Sequence, residues 1–103
     1  MRDKSSFGVF IRRLRQNREE PLRVVAAGVD IDSTLLSKLE HGERFPTEVQ
    51  IAKFAKFFDI PEEELKGRVI ADKVASECND NAACLYAASI LKYRATRYKT
   101  NSK

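Results

Sequence analysis

The sequence predicts an all-α protein, with a five-helix domain over residues 1–66 and a helical extension over residues 67–103. Three observations predict it. Only four Gly and three Pro occur among 103 residues, too few for a turn-rich β architecture. Apolar side chains recur at helical spacing through most of the chain. Capping residues stand where those periodic runs begin and end.

The first run, "FGVFIRRLRQNRE", sets Phe7, Phe10, Ile11 and Leu14 on one stripe. Ser6 is placed to cap it. Arg12, Arg13, Arg15 and Arg18 make its polar side basic, and Arg12, Arg13 and Arg18 are expected to be solvated. Pro21 suits the first turn of a second helix, "PLRVVAAGV". Gly28, Asp30 and Asp32 break that pattern, and Asp32 is an N-cap for "STLLSKLE". Gly42 then ends the third helix from the C′ position.

After the "ERFP" loop, Thr47 and Gln50 form a capping box for "EVQIAKFAKFFD". Val49, Ile51, Ala52, Phe54, Ala55 and Phe58 are its expected core residues. Pro61 and three glutamates open the fifth helix, the acids complementing its positive end. Leu65, Val69, Ile70, Val74 and Ala75 are its apolar positions, and it should run to about Glu77. Residues 79–81 read as a turn before a last helix over about 82–98.

Charge is unevenly placed. Residues 1–45 carry nine Lys/Arg against seven Asp/Glu, residues 46–77 five against seven, and residues 78–103 five against one. Basic ends around an acidic middle are compatible with a polyanion partner on selected faces. A single histidine, with no nucleophile–base arrangement and no phosphate-binding glycine loop, argues against an enzyme. No cofactor is expected. Cys78 and Cys84, with that one histidine, make a poor zinc set, so no metal is expected and both read as small core residues. No apolar run approaches the roughly 18 residues of a membrane span. The N-terminus lacks a signal-peptide apolar region, which makes the cytoplasm the expected location.

Helices two and three are short and closely joined, which is helix-turn-helix geometry. In that arrangement Ala26 must be small where the helices meet. Val25, Ile31, Leu36 and Leu39 face inward, and Ser33, Thr34, Ser37 and Lys38 face outward. Short hydroxyls let a backbone approach base edges, and a lysine can donate to guanine O6 or N7.

"IRRLR", Ala26, Ile31, "LSKLEHG", Pro46 and "IAKFAKFFDI" together resemble the XRE, or lambda-repressor-like (Cro-type), helix-turn-helix family of transcriptional regulators, over roughly residues 7–65. The resemblance implies sequence-specific binding to double-stranded DNA at a paired operator as a homodimer, regulating transcription, most often by repression, with autoregulation as one form of it. It implies an ion pair between Arg15 and Glu40, base contacts from Ser33, Thr34 and Lys38 with Ser37 adjacent, and phosphate contacts from His41 and Arg44. Arg23 joins them as a phosphate-contacting candidate. The chain departs from the family pattern at Pro21-Leu22, where the family often has Ser-Gln, and at Asp30, where it has glycine. Asp30 can still adopt the left-handed conformation such a turn needs. Asp30, Asp32 and Glu43 place negative charge near the expected phosphate surface.

The stretch "AACLYAASILKYRATRYKT" is apolar almost all round in its first half. Such a helix is buried on several sides, and a two-fold interface with a second copy is the economical way to cover it. Leu85, Tyr86, Ile90 and Leu91 are the expected dimer contacts. The basic end, "KYRATRYKTNSK", reads as a solvated tail, with a DNA contact as the alternative. Two narrower roles fit the size and fold: the controller of a restriction–modification system, or the antitoxin of a toxin–antitoxin pair whose extension binds a second protein. A protein-interaction adaptor that has lost DNA binding is the rival outside this class.

Overall fold

The computed structural model describes residues 5–78 and 80–101, with side chains up to residue 97. Six helices follow one another among the described residues: α1 (Phe7–Asn17), α2 (Leu22–Gly28), α3 (Ser33–Glu40), α4 (Glu48–Phe58), α5 (Glu62–Glu77) and α6 (Asn81–Asn101). They divide into two compact units, one reaching Asp72 and one beginning at Lys73.

The start and stop signals operate as read. Ser6 accepts from the Val9 amide at 3.3 Å. Thr47 and Gln50 exchange side-chain-to-backbone hydrogen bonds at 3.1 and 2.9 Å. These bonds satisfy amides that an isolated helix start leaves unpaired. Pro21 stands one position earlier than expected, as the N-cap residue of α2. Asp59 ends α4 with φ 56°, a left-handed stop made without glycine.

The core of the first unit joins Phe7 and Ile11 of α1, Val25 and Ala26 of α2, Leu36 and Leu39 of α3, Ile51, Phe54 and Phe58 of α4, and Leu65 and Val69 of α5. Phe7 meets Phe54 edge to face with ring centroids 5.4 Å apart, a favourable quadrupole arrangement. The start of α1 is fastened to α5. The Phe7 amide donates to Asp72 Oδ2 at 2.9 Å, and the Arg68 guanidinium lies 3.7 Å over the Phe10 ring. Between α2 and α4 the approach is close enough to demand glycine. A Cβ on Gly28 would stand 2.2 Å from the Phe57 ring.

Five residues expected in the core, Val49, Ile70, Ala75, Cys78 and Cys84, are not there. Val49 is not core but 65% exposed, because Ile51, Phe54, Ala55 and Phe58 form the inward stripe and Val49 lies about half a turn from it. Ile70 is 56% exposed, one residue past the inward-facing Val69, and Ala75 is exposed too. Arg18 is exposed, as expected, and is also engaged. It lies over the Phe57 and Phe58 rings and donates to the Phe57 carbonyl at 3.3 Å, where a cation complements the C-terminus of α4. Cys78 and Cys84 are not core residues. They are joined as a disulfide with Cα atoms 5.9 Å apart, an ordinary separation for such a bond.

In the second unit, Asp80 Oδ1 accepts from the Ala82 amide at 2.9 Å and opens α6. Leu85, Tyr86, Ile90, Leu91 and Tyr93 are all exposed along this helix.

Candidate nucleic-acid interface

The geometry of the candidate surface is set by the inner side of α3. Leu36 and Leu39 are fully buried, and α3 packs on both α1 and α2. The turn from α2 holds because Asp30 takes φ 63° and the Ile31 amide donates to the Ala26 carbonyl at 2.9 Å. Asp32 then caps α3, accepting from the Leu35 amide at 2.7 Å. With its N-terminus, inner stripe and C-terminus all fixed, α3 has one orientation and one outward face.

Glu40 fixes the C-terminal end. The residue is 3% exposed, and its carboxylate is met by a forked guanidinium, Arg15 Nε to Oε2 at 2.7 Å and Nη2 to Oε1 at 3.0 Å. Arg15 Nη1 also donates to the Glu20 carbonyl at 3.1 Å. Hydrogen bonding to Glu40, opposed by burial and aided by that carboxylate's charge, raises the Arg15 pKa further above its ordinary value. The guanidinium therefore keeps its charge, and the pair ties the first helix to the end of the third.

Ser33 and Ser37 are half-buried, and Thr34 and Lys38 are exposed, on the outward side of α3. His41 follows directly. Its Nδ1 lies 2.7 Å from the Ser37 carbonyl, and since a carbonyl only accepts, Nδ1 carries the proton and Nε2 points elsewhere. A donor contact from Nε2 to a phosphate thus requires the doubly protonated ring. Arg44, in the loop after α3, and Arg23, on α2, are both exposed.

The departures from the family pattern acquire local explanations. Leu22 is partly buried against the core, so that position contributes to packing, and the exposed cation at the start of α2 is Arg23. The Asp30 carboxylate is held by Lys53 Nζ at 2.8 Å. Hydrogen bonding to Lys53 and its charge lower the Asp30 pKa. A carboxyl lowered on folding adds stability above its unfolded pKa and loses it as pH falls through the folded one. The lysine also offsets an acid at the turn. No sequence signal pairs Lys53 with Asp30, since 23 residues separate them.

A family model described as a helix-turn-helix domain matches residues 6–66. Searches of curated proteins and of solved structures return no match.

Proposed function

Since the chain belongs to the helix-turn-helix domain family through residues 6–66, which points to DNA binding and regulation of transcription rather than catalysis, we propose that it is a sequence-specific regulator that reads a paired operator as a homodimer. The observation that carries this reading is the division of α3 into two faces. Leu36, Leu39 and Glu40 are buried and locked, while Thr34 and Lys38 are exposed beside half-buried Ser33 and Ser37. A helix fixed this firmly from behind, with short hydroxyls and one lysine in front, is built to approach base edges closely. Ser33, Thr34, Ser37 and Lys38 are the proposed base-contacting residues. His41, Arg44 and Arg23 flank them as phosphate contacts, which position the helix without carrying sequence information.

The exposed apolar residues of α6, Leu85, Tyr86, Ile90 and Leu91, support the second half of the proposal. Large apolar side chains exposed round one helix favour burial against a partner, and a two-fold interface would cover part of them with a second copy. Two α3 helices in such a dimer read half-sites about 34 Å apart, one helical turn of DNA. The role places the protein in the cytoplasm, and among the described residues no helix is long and apolar enough to cross a membrane.

The test is a gel shift on DNA upstream of the protein's own gene, at about 150 mM salt with excess random competitor. A shift that resists competitor and saturates at two chains per site is the expected result. Absence of any resistant complex, there and in selection from a random DNA pool, would favour the adaptor role. Lys38→Ala should weaken operator binding by about 1–3 kcal/mol and relax preference at one base pair. Equal losses on operator and random DNA would reassign Lys38 to a phosphate.

A further inference from the structure

Along α6, Tyr86, Ile90, Tyr93 and Arg97 recur at intervals of four, three and four residues, the spacing that keeps side chains on one seam of a paired helix. The three apolar members are exposed, at 75%, 47% and 63%. Tyr86 and Tyr93 lie equally far from a point between Ser89 and Ile90, so two antiparallel copies of α6 centred there would set Tyr86 of each against Tyr93 of the other. In a two-fold interface each such contact occurs twice, once from either copy.

The charges of α6 are not symmetric. Residues 81–97 contain no Asp or Glu, and their cations, Lys92, Arg94 and Arg97, all fall in the C-terminal third. Asp80 stands at the opposite end, immediately before the helix. We propose that the occupant of this seam is α6 of a second copy, running antiparallel, with Tyr86 of each chain against Tyr93 of the other. The proposal rests on the homodimer reading above and specifies its geometry.

Electrostatics select the antiparallel direction. Parallel pairing would set the two groups of cations at the same level along helices whose axes are about 8–10 Å apart. Antiparallel pairing about the midpoint moves the two cation groups roughly 15 Å apart along the axis, at about 1.5 Å per residue. It also brings Asp80 of each copy level with the cationic end of the other. The helix dipoles oppose in this arrangement and reinforce in the parallel one.

The full-length protein, its disulfide intact, tests this with a nitroxide attached to a ketone-bearing amino acid incorporated at Ser89 or at Arg97, read by electron paramagnetic resonance alongside the mass from light scattering. The expected result is a dimer in which labels at 89 are about 10–15 Å apart and labels at 97 about 25 Å apart, from the same rise and helix separation. A dimer with equally short separations at both positions would overturn the antiparallel direction in favour of a parallel seam. A dimer with neither separation short would place the interface outside α6 and overturn the proposal while leaving dimerisation intact. Unlabelled protein that stays monomeric at every concentration would defeat the dimer reading itself, and this proposal with it.

Discussion

Arg15→Ala is expected to destabilise the protein by about 3–5 kcal/mol, the usual cost of removing one partner from a buried ion pair. Glu40, 3% exposed, would lose both guanidinium bonds to its carboxylate, at 2.7 and 3.0 Å, and the Glu20 carbonyl would lose a third. For a unit of this size the fall in Tm should be on the order of 15–25 °C. Thermal unfolding followed by circular dichroism measures it. The penalty comes from a stranded charge, since the pair's own attraction is largely offset by its desolvation. The double substitution Arg15→Met with Glu40→Leu, which removes both charges and keeps the volume, should therefore recover most of the loss. A loss below about 1 kcal/mol in Arg15→Ala would place the pair in the exposed class and remove its role in holding α3 to α1.

Leu36→Ala should cost about 2–5 kcal/mol, the transfer free energy of the lost side chain plus the cavity it leaves. Leu36 is fully buried on the inner face of α3, so collapse around the gap would tilt the helix that carries the proposed readers. The comparison with Lys38→Ala is diagnostic. Leu36→Ala should lower Tm steeply yet keep operator preference in whatever fraction remains folded, whereas Lys38→Ala should leave Tm in place and change preference. If Leu36→Ala binds at low temperature with altered base preference, the orientation of α3 has shifted without unfolding, and packing as well as contact sets the specificity. If its Tm hardly moves, the surroundings close over the gap and Leu36 is not the anchor of α3.

Much of the fold was legible in sequence because its signals are local. Ser6, Asp32 and the Thr47–Gln50 pair cap helices within three residues of themselves. Asp30 takes its left-handed turn conformation with a side chain that tolerates it. The inward stripe of α4 follows from a period of 3.6, although that period also excludes Val49, which apolarity alone had placed inside. The outward set on α3 was legible for the same reason, since burial of Leu36 and Leu39 dictates what remains outside.

Other features depend on residues brought together from afar. The Asp72 carboxylate receives the Phe7 amide across 65 positions, and nothing near either residue in sequence announces it. Arg18 reads as one more surface arginine until two phenylalanine rings and a helix-end carbonyl surround it. Cys78 and Cys84 read as small core residues from residue type alone, and only the 5.9 Å approach of their Cα atoms shows them to be a disulfide.

The sequence by itself determined the helices, their caps, the short turn into α3 and the identity of the residues that α3 turns outward. All of these follow from periodicity and from hydrogen bonds closed within a few positions. Tertiary structure alone decided that Asp30 is offset by Lys53, that Leu22 is spent on packing, that Gly28 must be bare beneath Phe57, and how α5 is secured to α1. Those outcomes depend on distances between separate helices, and such distances come into being only when the helices dock on a shared core.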